Sequence, residues 1–83
     1  MENFDSLKPG DQVTVTIWGP DNSCLYKSTN TGYHSIEVAI KSALDNANLE
    51  INPEDCVFEV TNQKTSVSHK YRLNAHGNLK LIV

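Results

Sequence analysis

The stretch SIEVAIKSALDNAN, residues 35–48, is where the periodicity of the chain changes. Ile36, Ile40, Ala43 and Ala47 recur at i, i+4, i+7 and i+11, and Ala39 and Leu44 widen the stripe. Glu37, Lys41 and Asp45 recur at i, i+4 and i+8 on the opposite side. Residues three and four apart share one side of an α-helix, so the pattern predicts a single amphipathic helix of about three to four turns. Ser35, or His34 with Glu37 beyond it, supplies the N-cap, and an acid near the start suits the positive end of the helix dipole. Asn46 and Asn48 mark the other end, and Asn52-Pro53 stops any continuation.

Around this helix the sequence alternates with period two instead. In QVTVTIW, residues 12–18, Val13, Val15 and Ile17 point one way while Thr14, Thr16 and Trp18 point the other, the pattern of a half-buried strand. Lys8-Pro9-Gly10-Asp11 before it and GPDNS after it are turn chemistry. Cys24 to about Ser28 is therefore expected to return as the second strand of a hairpin, with STNTG breaking the pattern. After the helix, CVFEV (56–60) reads as a third strand with Cys56, Phe58 and Val60 on one face, and TNQKTS as a polar loop. HKYRLN (69–74) and NLKLIV (78–83) follow as two more strands. One helix cannot hide its apolar stripe alone, so it should cross one face of a sheet. The expected fold is α+β: a two-layer sandwich of one helix on a mixed or antiparallel sheet, in the order ββαβββ. A β-grasp-like arrangement, with a ββ unit, a helix and further strands in one sheet, is the leading topology. A length of 83 residues suits one domain, 1–83, with residues 1–10 as a partly ordered leader.

The closing stretch YRLNAHGNLKLIV, residues 71–83, has two possible registers. A two-residue loop sets Leu73 against Lys80 and mixes apolar with charged residues. A three-residue loop, Ala75-His76-Gly77, pairs Asn74 with Asn78, Leu73 with Leu79, Tyr71 with Leu81 and His69 with Val83. It then places Arg72 opposite Lys80 and Lys70 opposite Ile82 on the other face. This register sorts the faces and puts glycine where a type I turn with a G1 bulge needs φ > 0. His76 is then an exposed turn residue. Ubiquitin-like modifiers and sulfur carriers share the β-grasp order and act through a free tail ending in Gly-Gly. Here the last residues are Leu81-Ile82-Val83 in an expected strand, so carrier chemistry is not expected.

Charge is unevenly placed. Residues 1–59 hold ten acids and three lysines, while residues 60–83 hold four cations and no acid, giving −7 and then +4 for the net −3. Such asymmetry points to a partner surface, or to two parts that neutralise one another side by side. A hydrophobic fraction of 39% with 20% charged residues suits a folded domain, and no apolar run is long enough for a membrane span. The acidic, polar start lacks the pattern of a secretory signal, so the cytoplasm is the expected location, with Cys24 and Cys56 reduced.

Catalytic and metal motifs are absent from the sequence. Cys24 or Cys56 with His34, His69 or His76 has no nucleophile–base signature and no CxxC or HxxxH pairing, and there is no GxGxxG, Walker or HExxH pattern. The expected function is a small non-enzymatic protein-interaction or regulatory module that uses no cofactor. Its partner would be an unidentified protein or a second copy in a homodimer, bound through an exposed sheet face or edge. The candidate partner-binding residues are Trp18, a common interface anchor, and the basic outer face of the last hairpin, Lys70, Arg72 and Lys80. Trp18 folded over the hairpin end, and cations splayed into water, are the structural alternatives. The functional alternative is nucleic-acid binding through the same basic hairpin with Trp18, Tyr26, Tyr33 and Tyr71 stacking. A pI near 5.4 and the inward assignment of Tyr71 weigh against it.

Overall fold

A computed structural model describes residues 10–33, 35–74 and 76–82. Strand β1 (Val13–Trp18) lies between β2 (Cys24–Asn30) and β3 (Val57–Asn62), and β4 (Val67–Leu73) and β5 (Leu79–Leu81) extend the sheet beyond β3. Every pairing is antiparallel, so of the mixed and antiparallel options the sheet takes the second. Because β2 and β3 both run against β1, they run parallel to each other, one strand apart. Parallel strands need a long crossover, usually helical, and α1 (Ile36–Ala47) provides it. The order is ββαβββ in one sheet, with one helix packed on it.

Local chemistry fixes the helix ends. The Ser35 hydroxyl accepts from the Val38 N–H at 3.2 Å, and Asn48 closes the other end in the left-handed region at φ 53°. Glu37 and Lys41, one turn apart on the exposed side, pair at 3.0 Å. The alternative cap at His34 lies outside the described residues. Ile36, Ala39, Ile40 and Ala43 are buried, as the stripe predicts, while Leu44 and Ala47 pack half-buried at its margin. They meet Val13, Val15 and Ile17 of β1, Phe58 and Val60 of β3, and Tyr71 of β4. Burying an aliphatic or aromatic side chain fully stabilises by roughly 1.5–3 kcal/mol, so this single cluster dominates the stability of the fold.

Three strands run longer than their sequence suggests. β2 continues through the polar Ser28-Thr29-Asn30, β3 takes in Thr61 and Asn62, and β4 begins at Val67. These residues sit in ladders whose outer side chains satisfy one another: Thr14 and Thr29 hydroxyls at 2.7 Å, Thr61 and Ser68 hydroxyls at 2.6 Å. A polar run thus continues as strand where its neighbours across the sheet are polar too. In the opposite direction, Cys56 is buried but precedes β3. It caps a 3₁₀ turn, Pro53–Asp55, by donating its N–H to the Pro53 carbonyl at 3.1 Å.

The closing hairpin adopts the three-residue register. The Asn74 N–H donates to the Asn78 carbonyl at 2.9 Å and the Gly77 N–H to the Asn74 carbonyl at 3.0 Å, with Gly77 at φ 80°. Leu73 faces Leu79, Arg72 faces Lys80 and Tyr71 faces Leu81, and the Ile82 N–H reaches the Lys70 carbonyl at 2.9 Å. The expected His69–Val83 pair involves a residue outside the described set. The helix packs chiefly over β1, β2 and β3. Between it and the β4–β5 hairpin remains an apolar cleft of about 190 Å³ lined by Ile40, Leu44, Leu73 and Leu79.

Candidate interaction face

Strand alternation divides the side chains into two sets. Val13, Val15 and Ile17 point to the helix, so Thr14 and Thr16, both buried, and the half-buried Trp18 point to the other side of the sheet, on which no described helix packs. The register carries this parity outward: Cys24, Lys27 and Thr29 of β2, Val57, Glu59 and Thr61 of β3, Ser68, Lys70 and Arg72 of β4, and Lys80 of β5 share that face. All four residues singled out from the sequence, Trp18, Lys70, Arg72 and Lys80, therefore lie on one face.

The face has two zones. At one end a row of hydroxyls, Thr29, Thr14, Thr61 and Ser68, crosses four strands, and the Gln63 amide donates to the Thr14 hydroxyl at 2.7 Å. At the other end an open groove of about 510 Å³ is lined by Trp18, Asn22, Val57, Glu59, Lys70 and Ile82. Trp18 is half-buried there, and its indole N–H donates to Glu59 Oε1 at 3.0 Å. Glu59 in turn sits directly across from Lys70. Ile82 is 40% exposed, large for an apolar side chain, and Arg72 and Lys80 are exposed beside it.

Trp18 and Lys70 are thus brought into one groove, with Arg72 and Lys80 alongside in the next cross-strand pair. Sequence reasoning missed Glu59, Val57 and Ile82 as groove residues. Alternation in CVFEV already turned Val57 and Glu59 away from the core. What it left unknown was that β3, rather than another strand, lies beside Trp18.

The charge asymmetry resolves by layer. On the strands of the helix-free face, Lys27, Lys70, Arg72 and Lys80 stand against Glu59, a formal +3. Residues 35–55, the helix and the connection after it, carry Glu37, Asp45, Glu50, Glu54 and Asp55 against Lys41, a formal −4. Among the described residues, no ion pair engages Lys70, Arg72 or Lys80.

Among the described residues the remaining reactive groups do not converge. Cys24 is exposed at the start of β2 opposite Trp18, while Cys56 is buried, and both thiols are free. Burial, followed by the negative charge of Asp55, pushes the Cys56 thiol above its ordinary value and keeps it protonated. Among the described residues no group of three or more His, Cys, Asp or Glu side chains is placed to hold a metal ion. His76 is exposed in the turn, its backbone N–H donated to Asn74 Oδ1 at 2.9 Å. No described helix is long and apolar enough to cross a membrane. Comparison of the chain with protein-family models, with curated proteins and with solved structures returns no match.

Proposed function

We propose that this chain is a small, single-domain, non-enzymatic interaction module that binds a protein partner across the helix-free face of its sheet. The observation that carries this reading is the convergence of Trp18, Lys70, Arg72 and Lys80 on that face, around a groove lined by Val57 and Ile82. An antiparallel sheet with one solvated face ordinarily keeps that face polar, and Trp18, Val57 and Ile82 depart from the pattern together at one end. Trp and Arg are also the side-chain types that most often dominate binding energy at interfaces. The face is favoured over the edges. The β2 edge carries Lys27 and a bulge opposite Ile17 and Trp18, and β5 is only three residues long, all features that discourage strand addition. Free thiols at Cys24 and Cys56 suit a reducing compartment such as the cytoplasm, which is part of this proposal.

The excess of cations on the same face favours one rival, a single-stranded nucleic acid stacked on Trp18. Affinity capture separates the two. Wild type is compared with Trp18→Ala, with the triple variant Lys70→Glu, Arg72→Glu and Lys80→Glu, and with Asp45→Asn on the helix as a control. A protein retained by wild type and by the helix variant should be lost from both face variants, each keeping the wild-type circular dichroism spectrum. Equal retention by all of them would overturn the reading. Material released by nuclease treatment would transfer the face to nucleic acid.

A further inference from the structure

We infer that the partner offered to this face is an acidic protein segment in extended conformation, its carboxylates at alternate positions beside an apolar residue; this rests on the protein-interaction reading above. Charge comes first. The face holds a formal +3 on a chain of net −3, and its three hairpin cations have no ion pair among the described residues. Arg72 and Lys80 face each other across the β4–β5 ladder, a like-charge arrangement that is unfavourable until an anion lies between them.

Spacing comes second. Lys70 and Arg72 are alternate residues of β4, so their side chains leave the same face about 6.6–6.8 Å apart. An extended peptide repeats its own side chains on one side at that interval, and carboxylates at every second position meet both cations in step. The groove supplies the third element, since Trp18, Val57 and Ile82 form an apolar seat beside Lys70.

Glu59 decides between a peptide and a nucleic acid. It stands inside the groove between Trp18 and Lys70, holding the indole N–H. A phosphate backbone brings a charge with every nucleotide and opposes Glu59 wherever the strand crosses the groove. A peptide can present an apolar residue or a backbone N–H there and keep its carboxylates over Lys70, Arg72 and Lys80.

Trp18 is the one tryptophan in the chain, so its emission reports the groove directly. Purified protein is titrated with a short peptide alternating Glu with Thr around a single Phe, with its Gln-for-Glu counterpart, and with a short oligothymidylate. The acidic peptide should change the emission saturably. Binding should weaken about tenfold with the Gln peptide, with the triple Glu variant of the cations, and between 0.1 and 1 M salt, where the screening length falls from about 10 to about 3 Å. A triple Gln variant, which removes charge without reversing it, should fall between the two. Equal binding of both peptides, tighter binding of the oligothymidylate, or a concentration-dependent emission change without any probe would each overturn the proposal, the last in favour of a second copy of the chain. Failure of every probe would overturn it too, while loss of a captured protein from the face variants would leave the broader reading standing.

Discussion

Gly77 holds φ at 80°, a region that strains any residue with a Cβ, although nothing lies within 4 Å of where that Cβ would sit. The cost of Gly77→Ala is therefore conformational rather than steric. About 1 kcal/mol of stability should be lost in denaturant unfolding, with the fold retained. Cys24 and Cys56 make a second contrast at this scale. The exposed thiol should react with a disulfide reagent at the rate of a free cysteine in the native protein. The buried one should react only at the rate of unfolding, and a single fast phase counting both thiols would contradict that placement. Asp21 gives a pH dependence. It accepts from the Ser23 hydroxyl at 2.7 Å and the Ser23 N–H at 3.3 Å, which holds its carboxyl below the ordinary aspartate value. A lowered folded-state value means that the contribution is complete above about pH 4 and is lost as pH falls through that value. The stability difference between wild type and Asp21→Asn should therefore shrink below about pH 4, and a difference constant with pH would rule the interaction out as a contributor.

Among the elements, the helix and the closing hairpin were the most legible from sequence, for physical reasons. Ile36, Ile40 and Ala43 repeat often enough for only one period to fit, and Leu73, Tyr71 and Lys80 sort onto faces in only one register. Strand ends were less legible, because Thr29, Thr61 and Ser68 look like loop residues until their partners across the sheet are known. The face bearing Trp18 could be named from alternation alone, whereas the groove could not, since Val57 and Glu59 join it only through the β1–β3 pairing. Helix capping makes a prediction here: Ser35→Ala should cost about 1 kcal/mol by leaving the Val38 N–H without its side-chain acceptor. The β2 edge makes another. If Lys27 keeps this edge from pairing with other chains, Lys27→Val should increase self-association in sedimentation, and an unchanged monomer fraction would assign that role elsewhere.

At the scale of the whole molecule, the described helix and its connection carry an excess of acids and the strands' opposite face an excess of cations, on the two sides of the sheet. The helix acids lie on its outer side and the cations on the far face of the sheet, with a layer spacing of about 10 Å between, more than the screening length of about 8 Å at physiological salt, so the two sets neutralise each other only in part. A fold built for stability alone has no need of Arg72 opposite Lys80, because an acid at either position would pair with the other. The central claim is that these cations serve binding at a small cost to folding, and Lys80→Glu tests it most directly. Capture of the partner by this variant is measured at a temperature where both proteins are fully folded. The variant should unfold at the same or a slightly higher denaturant concentration than wild type and yet lose the partner. Undiminished capture would contradict the account, and so would a loss of capture that merely follows a loss of stability.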